Sequence, residues 1–380
     1  MRLFRSDNEN ENGDLEAKIV RDKNKVVVIS SSSSIQGEIS SILKMHNIPK
    51  IVSKKQSINE FRDDETTLDA GWYIVDIENE KDLSIINDII VMAIPNDAMY
   101  VLIGETDSIA FSSELLKFGA KYLYKNTQLV AVADIILNSK GSQVDRISLN
   151  VSLLGCKGGC GTTTIASRLF SSIDKFITTP ALLIQGGSGS RDLDLISNEN
   201  YGISIQEAKV QKISSTKSVK IDSDGLQFDY VNPVYQQYNI NIFDHNISRA
   251  LPEELEVVFN NTNVLVLIVG NNFSSFRTAK KIIDEYKKFE LRTKSRPKRI
   301  IICVNEYTAR FTRDKFSSED IEDFMERKVD IYFPHLNSDK KGKEFNEKII
   351  ELCSLVFAKE IKNEKSNKGL FSWVKILSKS

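Results

Sequence analysis

After a polar opening stretch with no periodicity, short apolar runs alternate with amphipathic helical patterns from Lys25 onward. Val26–Ile29, Trp72–Ile77, Tyr100–Ile103 and Tyr122–Tyr124 are strand-length runs of branched and aromatic residues. The segments near Ile35–His46, Leu83–Ala93, Ile109–Phe118 and Leu129–Leu137 carry apolar residues at the three- and four-residue spacing of a helix. The alternation reads as successive βα units, the pattern of a doubly wound parallel sheet.

The polar stretch from Asn138 to Ser148 interrupts this pattern, and a second α/β region starts on Leu149–Leu154. Its further strands are expected at Ala181–Ile184, Ile240–Phe243, Val264–Val269, Ile300–Val304 and Val329–Phe333, with helices near Ser275–Phe289 and Phe345–Phe357. Between Ser204 and Gln237 polar turns mix with short apolar pieces, and no element is assigned. The expected organisation is a disordered arm over 1–24, a first domain over 25–138, a linker over 139–148, a second domain over 149–360, and a linker with an amphipathic end over 361–380. At 380 residues the chain suits two domains, and the fold class is α/β with two doubly wound units.

Composition changes this picture little. With 41% hydrophobic and 27% charged residues the chain can bury a core in each half. Its 51 basic residues balance 52 acidic ones, so no global field draws in DNA or an anionic membrane, and any such partner must meet a local patch. Four cysteines are too few for a disulfide framework, and no apolar leader or run of about 20 residues is present, so a cytoplasmic location is expected.

The chemistry concentrates where strand Leu149–Leu154 runs into Gly155-Cys156-Lys157-Gly158-Gly159-Cys160-Gly161-Thr162-Thr163-Thr164 and then into a helix. Glycines let backbone N–H groups turn around phosphate oxygens, and the helix N-terminus adds its positive end. The run resembles the deviant Walker A motif K-G-G-x-G-K-T-T of the MinD/ParA family of dimeric ATPases. That resemblance implies a nucleotide cradle over residues 157–164, ATP and Mg²⁺ as cofactors, Lys157 as the signature lysine reaching the partner's nucleotide across a homodimer, and Thr163 as a hydroxyl ligand of Mg²⁺. Thr162 departs from the pattern, standing where the usual loop lysine would pair with the phosphates. Counting back from Arg191-Asp192-Leu193-Asp194-Leu195-Ile196, the family's two aspartates after the second strand become Gln185 and Gly187. Tyr238-Asn239-Ile240-Asn241-Ile242-Phe243-Asp244 looks like the Walker B strand, which makes Asp244 the second Mg²⁺ residue; the alternative is an ordinary strand-end aspartate. Asn305 falls at the family's adenine-contact position, where a turn asparagine is equally at home. Cys156 and Cys160 flank the loop without a metal-ligand set around them, and His245, beside Asp244, reads as a turn residue, the alternative being a residue lining the site.

The first region resembles a response-regulator receiver domain. Ser30 to Ser34 stand where its acidic pair belongs, Asp76 at the phosphoacceptor position, Gly104 at the hydroxyl position and Lys125 at the lysine position. Without the acidic pair no metal would neutralise an incoming phosphoryl group, so a degenerate, binding role is expected. A degenerate receiver fused to such an ATPase resembles the TadZ/CpaE family, which positions Flp/Tad pilus machinery at the cell pole.

Three functions follow. The first is an ATP-binding, dimerising localisation scaffold with weak or no hydrolysis, whose partners are pilus assembly or polar proteins met through the receiver-like domain. The second is a ParA-type ATPase that partitions DNA or another cargo, supported by five basic residues over 292–299; a solvated loop is the preferred reading of that run, and DNA is not the expected partner. The third is a regulator phosphorylated on Asp76. The tail adds a peripheral contact with the inner face of the membrane: Leu370, Phe371, Trp373, Val374, Ile376 and Leu377 follow helical spacing with lysines on the other face, in a segment too short to span.

Overall fold

The structure is a computed structural model, and it describes residues 21–58, 60, 69–117, 119–138, 148–186, 193, 209–222, 230, 232–247, 250–293, 298–306, 316–336 and 339–358. Residues 139–147 of the expected linker, most of the opening arm and the tail beyond 358 lie outside these residues.

The first sheet is formed by β1 (Asp22–Ile29), β2 (Lys50–Lys54), β3 (Ala70–Asp76), β4 (Met99–Gly104) and β5 (Lys121–Tyr124). All its pairings are parallel, in the order β2-β1-β3-β4-β5. Helices α1 (Ser33–Met45), α2 (Leu83–Ala93), α3 (Ile109–Lys117) and α4 (Ala131–Asn138) connect them. This is the flavodoxin-like doubly wound order. Its central strands need cover on both faces, which is why Val26–Ile29 and Tyr73–Val75 read as continuous apolar runs. Strand β2 is the unit that the apolar pattern did not mark. It lies on the sheet edge with no fully buried residue, so only Ile51 and Val52 had to be apolar. Ordered chain also begins before Lys25: Asp22 N donates to Asp69 O (2.8 Å) and Asp22 pairs in register with Ala70.

The second sheet has eight strands in the order β13-β12-β11-β6-β10-β7-β9-β8, parallel except for the β8/β9 pair. They are β6 (Leu149–Gly155), β7 (Ala181–Gln185), β8 (Val210–Lys212), β9 (Lys217–Ile221), β10 (Ile240–Asn246), β11 (Val264–Gly270), β12 (Arg299–Asn305) and β13 (Ile331–Phe333). Helix α5 (Thr162–Ser172) follows β6, and α6 (Pro233–Gln236), α7 (Pro252–Asn261), α8 (Phe273–Thr293), α9 (Ser318–Met325) and α10 (Asp339–Phe357) follow in turn. Strands β8 and β9 occupy part of the unassigned stretch between Ser204 and Gln237. Apolar periodicity missed β9 because its sequence is Lys-Ser-Val-Lys-Ile, with both lysines buried. Lys217 donates to Asp174 Oδ2 (2.5 Å) and Ser171 O (3.0 Å), while Lys220 pairs with Asp222. Burial of charge on a strand is tolerated once each ammonium has such partners.

The two sheets meet where the C-terminal end of α2 reaches the second unit. Val91 joins the core on one face of the second sheet, with Met92 packed against it. The carbonyls that end a helix lack partners within it, and here other parts of the chain supply them. Buried Asn239 donates to Val91 O (2.7 Å) and Ile94 O (2.6 Å) and accepts from Asn96 N (2.9 Å). Thr179 Oγ1 donates to Val91 O (3.2 Å), and Arg299 lies 3.5 Å from Asp88.

Candidate phosphate-binding site

Strand β6 lies between β10 and β11, so the loop after it emerges at the carboxyl edge in the middle of the sheet. Open α/β sheets bind ligands at this edge. Cys156 N donates to Ile268 O (3.0 Å) and Cys160 N to Lys157 O (3.2 Å), which curls residues 156–160 into a compact turn. Gly159 and Gly161 close the turn at φ of +76° and +89°, backbone that L-residues with side chains avoid. Gly161 is the N-cap of α5 and offers its first turn no side-chain acceptor. The first N–H groups of the helix, with their positive dipole end, are thus available to an anion. Lys157, Gly158 and Gly159 are exposed at the tip of the loop.

Behind the loop three side chains converge. Thr163 Oγ1 donates to Asp244 Oδ2 (2.6 Å), and the amide of Gln185 donates from Nε2 to both Thr163 Oγ1 (3.2 Å) and Asp244 Oδ2 (3.3 Å). Asp244 and Gln185 are neighbours in register on β10 and β7, and both are buried. Thr163 and Asp244, separated in sequence, are therefore brought together. Among the described residues no cluster of three or more His, Cys, Asp or Glu surrounds a point. One carboxylate and one hydroxyl nonetheless suit magnesium, which takes one or two protein ligands and completes its shell with phosphate and water. Gly187, the other substituted acid position, lies outside the described residues.

Asn305, at the end of β12, braces the loop: its Nδ2 donates to Cys160 O (2.8 Å), and the side chain is buried. Sequence reasoning did not foresee this bond. Thr162 is turned back on the loop, its Oγ1 3.3 Å from Cys160 Sγ, and a Cβ on Gly155 would meet that hydroxyl at 2.4 Å. Thr164 is half-buried in the first turn of α5, and Lys157 reaches Asn272 Oδ1 at 3.4 Å. Cys156 and Cys160 are both buried and free, and burial raises the Cys156 thiol well above its usual range, which suits packing rather than thiolate chemistry. His245 is no turn residue. It is a buried residue of β10 with Nε2 3.0 Å from Tyr230 Oη, and burial lowers its pKa to about 3.

In the first sheet the residues at the receiver-like positions also gather. Ser30 Oγ donates to Asp76 Oδ2 (2.7 Å) and Glu78 N donates to Asp76 Oδ1 (2.9 Å), with Ser30 and Asp76 fully buried. Lys125 donates to Glu105 Oε1 (2.5 Å). Burial alone would lower the Lys125 pKa, but that bond and the nearby Asp76, Glu105 and Glu78 charges raise it. A Cβ on Gly104 would meet Tyr122 Oη at 2.9 Å, so the tyrosine fills the space beside the hydroxyl position.

Three of the five basic residues over 292–299 are described, and each has an intramolecular partner. Arg292 pairs with Glu256 (2.8 Å), Lys298 donates to Phe259 O and to Thr262 O (2.5 Å), and Arg299 donates to the carbonyls of Leu355 (3.2 Å) and Val356. Burial lowers the Lys298 pKa to about 8. Lys294 and Arg296 lie outside the described residues, as do the tail positions 370–377.

No family model and no curated protein matches the sequence. Among solved structures, the MinC:MinD cell division protein complex of Aquifex aeolicus aligns over 58% of this chain and 100% of its own, at 16% identity and a TM-score of 0.43. A ParA family ATPase from Chlorobium tepidum aligns over 56% of this chain and 96% of its own, at 16% identity and a TM-score of 0.37. An ATP complex of a Cyanothece McdA variant aligns over 57% and 99%, at 11% identity and a TM-score of 0.41.

Proposed function

We propose that the chain is a nucleotide-controlled, dimerising localisation scaffold of the MinD/ParA type, with weak or absent ATP hydrolysis. One observation carries this reading: a loop closed by two left-handed glycines sits on the N-terminus of α5, with Thr163 and Asp244 held 2.6 Å apart behind it. Backbone N–H groups of residues 157–164 bind the phosphates. Thr163 and Asp244 would receive Mg²⁺, which when bound supplies charge neutralisation to the phosphate oxygens. Lys157, exposed at the loop tip, is the group that reaches a partner's nucleotide. Thr162 brings no charge to the phosphates, and Gly187 stands where a carboxylate would order a water. The loss of each such electrostatic contribution costs about 10²–10³ in rate.

The finer reading is a TadZ/CpaE-like protein that positions Flp/Tad-type pilus machinery at the pole. It is supported by the motif resemblance and by the flavodoxin-like order of the first sheet. Asp76 is buried and occupied by Ser30 and Glu78, which favours docking over phosphoryl transfer at that position. Among the described residues no helix is long and apolar enough to cross a membrane, so membrane contact on this reading is peripheral and runs through the tail. Partitioning of DNA is disfavoured by the inward partners of Lys298 and Arg299.

The test is equilibrium binding of ATP and ADP together with phosphate release. Binding is expected with turnover far below about 1 per second, the low end of ordinary enzymes. Failure to bind either nucleotide defeats the proposal, and turnover at an ordinary rate defeats its scaffold half.

A further inference from the structure

We infer that the Gln185 amide takes the place of a divalent cation in organising Thr163 and Asp244, so that nucleotide affinity in this chain is nearly independent of magnesium. The inference rests on the nucleotide-binding reading above. A threonine hydroxyl has one proton to donate and two lone pairs with which to accept. Thr163 gives its proton to Asp244 Oδ2 (2.6 Å), and one lone pair receives Gln185 Nε2 (3.2 Å). The same nitrogen reaches Asp244 Oδ2 (3.3 Å), so one amide donor lies against the two oxygens that a metal ion would otherwise draw together.

The orientation of the amide is set by the rest of the network. Gln185 Oε1 accepts from Leu193 N (3.2 Å). A flipped amide would turn its oxygen toward the Asp244 carboxylate and its nitrogen toward a backbone donor, losing all three bonds. Gln185 is fully buried and Leu193 nearly so, which leaves no solvent to soften that loss. Thr163 and Asp244 are thus already aligned by a donor belonging to the chain. A cation that enters with the nucleotide meets an amide N–H in its ligand set, and such an N–H repels positive charge. In the acid-bearing arrangement two carboxylates repel until a cation joins them; here Asp244 is met by the amide N–H, so the cation has no carboxylate pair to relieve and adds only its contact with the phosphates.

The experiment is titration of a fluorescent ATP analogue and a fluorescent ADP analogue against the full chain, once with excess magnesium and once with a chelator. The expected result is dissociation constants that differ by less than about threefold between the two conditions. Gln185→Glu keeps the side-chain length but sets a second carboxylate beside Asp244. Partners that orient metal ligands commonly change metal affinity by about 10–100-fold, so this variant is expected to gain a magnesium dependence of at least about tenfold. A wild-type loss of about tenfold or more in chelator overturns the inference while leaving nucleotide binding intact. An equally small ratio in a folded Gln185→Glu protein overturns it too, and the wild-type ratio decides by itself should the variant fail to fold. No binding in any condition removes the nucleotide reading and this inference with it.

Discussion

Gly161 offers a sharp test of the loop, because its two constraints can be separated. Replacement by alanine adds a Cβ on backbone at φ +89°, and that Cβ lies 2.5 Å from Asn305 Nδ2. The backbone strain amounts to about 1–3 kcal/mol. Displacing Asn305 also breaks its bond to Cys160 O, worth about 0.5–1.5 kcal/mol. Together the variant is expected to lose about 2–4 kcal/mol of stability, or to relax by opening the loop. If the loop opens, binding must restore the strained conformation, and at 1.4 kcal/mol per decade a cost of that size corresponds to about 10–10³ in affinity. Gly158 is the internal control: its φ is outside the left-handed region and a Cβ there meets nothing within 4 Å. Gly158→Ala should therefore be neutral or slightly stabilising in the free protein, by up to about 1 kcal/mol through loss of unfolded-state entropy. Urea denaturation and nucleotide titration of both variants give the readout, and Gly161→Ala combined with Asn305→Ala should recover the steric part of the loss. Equal stability and affinity for the two single variants would refute the geometry argued for the loop.

Lys157→Ala should leave the monomer folded, since the side chain is exposed and among the described residues bonds to Asn272, while abolishing any ATP-dependent dimer; an undiminished dimer in sedimentation velocity would remove the cross-dimer role. Asn239→Ala deletes three hydrogen bonds to α2 and its end, two of them buried, so a loss of about 2–4 kcal/mol is expected in denaturant unfolding, and a change under about 0.5 would show that the contact does not hold the two sheets together. Deletion of residues 370–380 should abolish co-sedimentation with anionic liposomes without lowering the melting temperature, because a single short helix binds weakly and gains by doubling in a dimer. Liposome binding retained by the truncated chain would end the anchor proposal.

What the chain legibly carries in one dimension is the set of features with local causes. Central parallel strands must be apolar on both faces, so β1, β3, β4, β6, β7, β10, β11 and β12 announced themselves as continuous runs. The phosphate loop did too, because positive φ at Gly159 and Gly161 can be met cheaply only by glycine. Two strands escaped for the converse reason: β2, on a sheet edge, has no fully buried residue, and in β9 the buried Lys217 and Lys220 are neutralised by Asp174 and Asp222. His245 was read as a turn residue yet is buried in β10, and Lys298 and Arg299 were read as part of a solvated loop yet are held by backbone carbonyls, since exposure depends on what packs against a residue rather than on its type. Asn305 as a brace of the loop, Asn239 as a cap on α2 and Gln185 as a donor to Thr163 and Asp244 are decisions of the tertiary structure alone. Each joins groups between 22 and 148 positions apart. A hydrogen bond forms only at a short distance and a narrow angle, and no spacing along the chain encodes either.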